Sequence, residues 1–177
     1  ARLMSVLSFV SQDRDQKGPA VMIVGGAVRN AVMGEPIKDI DLACVHSPDI
    51  VMQQAQAAGF RVIPTGVDHG TVTAVSEGRG YEVTTLRDDI ESDGRHAVVA
   101  YTDDWISDAR RRDFTCNTLL SDFEGRVYDP LGSGIVDAQM RRIRFVGDAD
   151  TRIREDYLRI LRFFRMYAEY GRGEMDP

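Results

Sequence analysis

Hydrophobic positions recur along the chain with two periods, and the switches between them mark an ordered series of helices and strands. Leu3, Leu7 and Val10 fall on one face of a helix over residues 3–16. Residues 21–24 form a short apolar strand that runs into Gly25-Gly26. A helix is predicted over 27–33, stopped by Gly34 and Pro36. From 39 to 44 the pattern alternates strictly, with Asp39, Asp41 and Ala43 on one face and Ile40, Leu42 and Cys44 on the other. A helix over 48–58 ends at Gly59, and strands near 61–63, 71–75 and 81–86 follow as a mostly antiparallel run.

Residues 87–104 read as polar and irregular, with Asp93-Gly94 as a turn, and 88–104 is the internal segment expected to be least ordered. A helix is predicted around 105–119. Two short strands, near 119–123 and 126–128, flank the hairpin signal Glu124-Gly125. Asp129-Pro130-Leu131-Gly132 reads as a hinge, and one long helix covers 151–169. On that helix Ile153, Tyr157, Ile160, Leu161, Phe164, Tyr167 and Ala168 share a core-facing stripe. Arg152, Glu155, Asp156, Arg159 and Arg162 lie opposite. The order predicts an α/β (mixed) fold, a small mixed, mostly antiparallel sheet packed by helices, followed by a helical segment.

Composition narrows the class. Hydrophobic residues make up 43% of 177, enough for a core and too many for a disordered chain. No apolar run approaches the roughly 20 residues that span a bilayer, so no membrane partner is expected. The N-terminus does not read as a secretory signal, which points to the cytoplasm or an organellar matrix, and it lacks an initiator Met, as if the chain began inside a longer protein. Cys44 and Cys116 read as two reduced thiols. His46, His69 and His96 are scattered, and no zinc-ligand spacing is present. The net charge of -6 speaks against a nucleic-acid binder by its sum, but not by its distribution. Eight Arg fall between Arg141 and Arg165, and Arg110, Arg111 and Arg112 form a second cluster. Arg offers a planar fork to phosphates and base edges.

Candidate chemistry starts at Asp39-Ile40-Asp41. Carboxylates two residues apart on a strand share a face, where they can hold Mg²⁺ against a triphosphate. Upstream, VMIVGGAVRN is a strand running through Gly25-Gly26 into a helix start. Glycines let backbone approach an anion, and free helix N–H groups attract it. Arg29, one turn in, is placed to add a phosphate contact. Glu82, within YEVTTLR, is flanked by residues expected to be buried. It needs a partner, which a metal or the attacking hydroxyl would supply. The Arg and carboxylate face of the last helix reads either as a solvated surface laced with salt bridges or as fixed donors and acceptors for a base edge.

GGAVRN…DIDLA, RRDFTCN, YDPLGSGIVD and EDYLRILRFFR resemble, in order, the head motifs of class II tRNA nucleotidyltransferases and their bacterial poly(A) polymerase relatives, over about residues 20–170. The resemblance implies transfer of nucleotides from CTP and ATP to the tRNA 3′ end, with Mg²⁺ as cofactor, two ions being expected. It implies that Asp39 and Asp41 hold the metal; Glu82, read from its own surroundings, is the third catalytic candidate. Gly25, Gly26 and Arg29 would meet the triphosphate. Arg112, Asp113 and Asn117 would meet phosphate and ribose. Asp156 and Arg159 would pair with the incoming base, with Arg162 and Arg165 nearby. It divides the chain into a catalytic head, 1–132, and the start of a helical neck, 133–177, with body and tail beyond. LRDDIESDGRHAVVAYTDDW resembles the loop used in switching from C to A addition. Asn30 stands where the family has Asp, and Ser133 interrupts the Gly-Gly of the hinge motif. A poly(A) polymerase, a CC-only or A-only enzyme and a non-catalytic RNA-binding module that keeps the fold remain alternatives.

Overall fold

The computed structural model describes residues 1–9, 19–92 and 97–175. In chain order the elements are α1 (Arg2–Phe9), β1 (Val21–Val24), α2 (Gly26–Met33), β2 (Asp41–Cys44), α3 (Pro48–Ala57), β3 (Arg61–Gly66), β4 (Thr71–Ser76), β5 (Arg79–Thr85), β6 (Arg87–Ser92) and β7 (Ala97–Tyr101). There follow α4 (Trp105–Arg110), β8 (Leu120–Ser121), β9 (Val127–Tyr128), α5 (Gly134–Gln139), α6 (Ala149–Glu155) and α7 (Leu158–Tyr170). Seven strands make one sheet in the order β3-β4-β5-β2-β1-β8-β9. Every pairing in it is antiparallel except β2 with β5, so the mixed, mostly antiparallel expectation holds.

Both faces of the sheet are covered at β1 and β2. On one face Leu3 and Leu7 of α1 and Val51 and Ala55 of α3 pack on Val21, Leu42, Cys44, Val72 and Val83. On the other, Met22, Val24 and Ala43 meet Leu86 and Leu120. This is why the predicted alternation over 39–44 fails at Ala43: a strand buried on both sides has no solvent face. The strand also starts two residues later than predicted, at Asp41, leaving Asp39 in the connection before it. A third cluster joins α2 and α5 to α7 through Val28, Phe114, Leu119, Ile143, Met166 and Tyr170.

Three further expectations change. Within 87–104, residues 87–92 and 97–101 are not irregular: β6 and β7 pair antiparallel, with a register shift between Asp89 and Glu91. The β-branched Val98 and Val99 favour a strand, and the acidic partner strand hid it from periodicity. Asp93-Gly94 lies outside the described residues, as does Val10. The helix over 105–119 stops at Arg110, because Phe114 is drawn extended (φ -124, ψ 143) into an aromatic cluster with Phe145 and Phe163. A single 3-10 turn, Thr115–Asn117, follows.

The long helix over 151–169 is two helices. Asp156 is extended (φ -154, ψ 105), and its Oδ1 accepts from the Leu158 N–H at 2.9 Å, closing α6 and opening α7. The break shifts the helical phase, so most of the predicted core stripe faces outward, with Tyr157 70% exposed, Leu161 67% and Phe164 53%, while Tyr167 packs inward as expected. The inward stripe is Phe163, Met166, Tyr167 and Tyr170, at helical spacing.

Candidate functional site

Strand order places the site. In β1, Val24 is level with Asp41 of β2, and the parallel register Leu42↔Val83 sets Asp41 beside Glu82 of β5. Gly25-Gly26 at the end of β1, Asp41 at the start of β2 and Glu82 in the middle of β5 therefore stand in one row across three adjacent strands. Gly25 turns the chain from β1 into α2 at φ 67, ψ -126, a conformation that strains any L-residue. The first backbone bond back along α2 is Arg29 N–H to Gly25 O, at 3.0 Å. The N–H groups of the first turn thus have no intrahelical acceptor and form an anion-attracting edge.

This row lines an open cleft of about 520 Å³ together with Arg111, Arg112, Asp113, Asn117 and Arg162, and Arg112 Nη1 lies close enough to Gly25 that a Cβ there would sit 3.5 Å from it. The Asp41 carboxyl is pushed above its usual range, first by the protein that strips its hydration, then by the negative charges of Glu82 and Asp39. Arg112 opposes this. Like charges crowded this way favour a bound cation, and Mg²⁺ suits them because it takes one or two carboxylates together with substrate phosphates. Among the described residues no group of three His, Cys, Asp or Glu side chains forms a metal cage without such help.

Asp108 organises the basic wall. It is buried, and its Oδ1 accepts from Arg111 Nε (2.9 Å) and Nη2 (2.6 Å), while Oδ2 accepts from Arg112 Nε (3.2 Å) and Nη2 (2.8 Å). Burial raises its pKa, but the Arg112 and Arg111 charges and their hydrogen bonds outweigh that and hold it below the usual carboxylate range. Neither Asp108 nor Arg111 was among the sequence candidates. The signal was present, since Asp108 stands three and four residues before the two arginines on a predicted helix.

The predicted site residues divide. Gly25, Gly26, Asp41, Glu82, Arg112, Asp113, Asn117 and Arg162 line the cleft; Asp39, Arg29, Asp156, Arg159 and Arg165 do not. Glu82 is exposed to the cleft rather than hemmed in. Arg29 requires a correction, because it is buried and engaged. Its Nε (3.1 Å) and Nη2 (2.8 Å) donate to Asn30 Oδ1, its Nη1 donates to Asn117 Oδ1 (2.6 Å), and the guanidinium lies 4.1 Å over the Tyr170 ring. A direct phosphate contact from Arg29 is not what this geometry offers. Asp113 bridges Arg159 (3.0 Å) and Arg162 (2.8 Å), tying the cleft wall to α7. Arg159 also donates to Glu155 and to Arg152 O. Asp156 and Arg159 do not share one continuous polar helix face, since the break at Asp156 separates them.

Comparison with known proteins adds the family. The Poly A polymerase head domain matches residues 21–144, more than half of the chain. The chain belongs to this family. The head-domain match covers the strand row and every residue of the cleft except Arg162. The CCA tRNA nucleotidyltransferase 1, mitochondrial, of Danio rerio is 46% identical over 156 residues, which are 88% of this chain and 35% of that protein. A crystal structure of the Bacillus stearothermophilus CCA-adding enzyme in complex with CTP superposes with a TM-score of 0.79 at 36% identity, over 94% of this chain and 37% of that one. A tRNA nucleotidyltransferase complexed with a primer tRNA and an incoming ATP analog superposes with a TM-score of 0.66 at 26% identity, over 86% of this chain and 43% of that one. This head-domain chain spans roughly a third of the curated relative's length. Among its described residues no helix is long and apolar enough to cross a membrane.

Proposed function

We propose that this chain is the nucleotide-transferring part of a template-independent RNA nucleotidyltransferase that adds C and A from CTP and ATP to the tRNA 3′ end. The observation that carries the reading is the row Gly25-Gly26, Asp41 and Glu82 lining one cleft with Arg111 and Arg112. In this reading residues 1–132 are the head and 133–177 the start of a neck, and the protein works in the cytoplasm or an organellar matrix.

The triphosphate lies between the free N–H groups at the start of α2 and the Arg111–Arg112 pair. Asp41, with Asp39 at the strand entry, holds Mg²⁺, two ions fitting the reaction. Bound Mg²⁺ neutralises charge developing on the attacking and leaving oxygens. Glu82, beside Asp41, faces the incoming 3′-hydroxyl and can accept its proton. Asn117 meets the ribose, and Asp113 sets the Arg159 and Arg162 guanidiniums beside it. For Arg159 to read a base edge it must exchange Glu155 for the base, while Asp156 keeps one carboxylate oxygen beyond its bond to Leu158 N–H. Arg165 is exposed on α7, one turn beyond Arg162.

The test offers tRNA lacking its 3′-terminal CCA, with Mg²⁺ and each NTP singly and in pairs. Incorporation of C, then of A, is expected, with none from UTP or GTP and none by Asp41→Ala. Extension with ATP alone into a long tail overturns CCA addition in favour of poly(A) synthesis. Nucleotide binding without any incorporation makes the chain a binding module. The double variant Asp156→Ala, Arg159→Ala should fold and lose its preference for CTP and ATP; unchanged selectivity and rate would remove both from base readout.

A further inference from the structure

The buried Arg29 has no carboxylate in salt-bridge reach among the described residues, although it lies one layer beneath a site for a polyanion. Its acceptors are two neutral amides and an aromatic face. Asn30 Oδ1 takes Nε and Nη2 as a fork, and Asn30 is fixed in turn because its Nδ2 donates to Pro36 O at 2.8 Å. Tyr170 of α7 stacks on the guanidinium, and Met166 Sδ lies 3.8 Å from Nη1. With Nε and Nη2 held by Asn30, Nη1 donates to Asn117 Oδ1 at 2.6 Å, a much shorter bond than its 3.8 Å contact with Met166 Sδ.

That contact fixes which way the Asn117 amide points. A guanidinium only donates, so the amide oxygen must face Arg29 and the Nδ2 group, with two N–H donors, must face the other way. Asn117 lines the cleft. We infer that Arg29 is a positioning residue: held by Asn30 and Tyr170, it locks Asn117 with its N–H donors presented to the cleft, where they select a ribose over a deoxyribose. An unlocked Asn117 could turn its oxygen outward, which cannot donate to a sugar oxygen, and could adopt several rotamers. The inference rests on the proposed nucleotide reading and deepens it at one side chain.

The experiment measures CTP and dCTP binding with Mg²⁺ by calorimetry, for wild type, Arg29→Met, Asn117→Ala and the double variant. One lost hydrogen bond corresponds to about a 2- to 10-fold fall in the CTP-over-dCTP preference. Arg29→Met should show this fall without touching the ligand, and the double variant should show no more than Asn117→Ala alone, because both changes remove one interaction. Because Arg29 is buried, Arg29→Lys and Asn30→Ala accompany it. A lysine lacks the rigid planar fork that grips Asn30 while aiming Nη1 at Asn117, and Asn30→Ala frees the fork, so both should lose part of the preference. A wild-type preference that persists in the folded Arg29 and Asn30 variants overturns the inference and leaves the nucleotide reading standing. Equal wild-type affinity for CTP and dCTP overturns the ribose role of Asn117, and the inference with it.

Discussion

Replacing Asp108 by Ala is expected to cost stability and to disarrange the basic wall together. The side chain accepts four N–H bonds from two guanidiniums, and it is only 3% exposed against 16% for Arg111 and 18% for Arg112. Removing one partner of a buried pair costs about 3–5 kcal/mol, because the other charge stays behind uncompensated. Both arginines keep some access to water, which places the expected loss near the lower end, about 3 kcal/mol. For a domain of this size that corresponds to a fall in Tm of about 6–12 °C. Asp108→Asn should recover little of it, since its NH₂ would face a guanidinium donor. Urea unfolding at pH 7 measures the change. The pH dependence has a definite sign. A carboxyl held below its unfolded value stabilises above about pH 4 and loses that contribution as pH falls through its folded value. The gap between wild type and Asp108→Ala should therefore be constant above about pH 5 and narrow below pH 4. A loss under about 1 kcal/mol at pH 7 would rank the pair with surface salt bridges and refute the argument.

Asp41→Asn should abolish Mg²⁺-dependent nucleotide binding yet leave the fold at least as stable as wild type at pH 7. A carboxyl raised above its unfolded value destabilises once ionised, and the difference should vanish below about pH 4; a less stable variant in urea would contradict this. Gly134→Ala should cost about 1–3 kcal/mol, because a Cβ there would lie 2.6 Å from Thr115 O and 2.9 Å from Leu119; a neutral change in Tm would show that the α5 contact yields. Cys44 and Cys116, whose thiols burial pushes up to about 12 and about 11, should resist thiol reagents at pH 8 in the folded state and react at once in urea. Deleting part of 88–104 should impair A addition more than C addition in a primer-extension assay; equal loss of both would indicate a folding defect.

Much of the fold is legible in the chain because local rules and tertiary packing agree there. Val21–Val24 into Gly25-Gly26, the helix at Pro48–Ala57 and the strands at Thr71–Ser76 and Arg79–Thr85 each carry their own period and stop signals. The paired arginines and the carboxylate row were visible as residue types. Their meeting was not, because it depends on the parallel register Leu42↔Val83, a contact between positions about forty residues apart.

What the sequence by itself determined is therefore the inventory: an α/β order, a glycine turn after the first strand, acids at Asp39 and Asp41, and an Arg-rich second half. Periodicity and turn chemistry act over a few residues, and they carry that much. The tertiary structure alone decided three things. It set the break at Asp156, where Asp156 Oδ1 caps α7 and Arg159 and Arg162 of the new helix reach back to Asp113, more than forty residues earlier in the chain. It turned Tyr157, Leu161 and Phe164 outward, because the break changed the phase of everything after it. And it took Arg29 out of the cleft and set it beneath Asn117, because a buried guanidinium goes where its five donors find acceptors, and those lie on Asn30, Asn117 and the face of Tyr170, far apart along the chain.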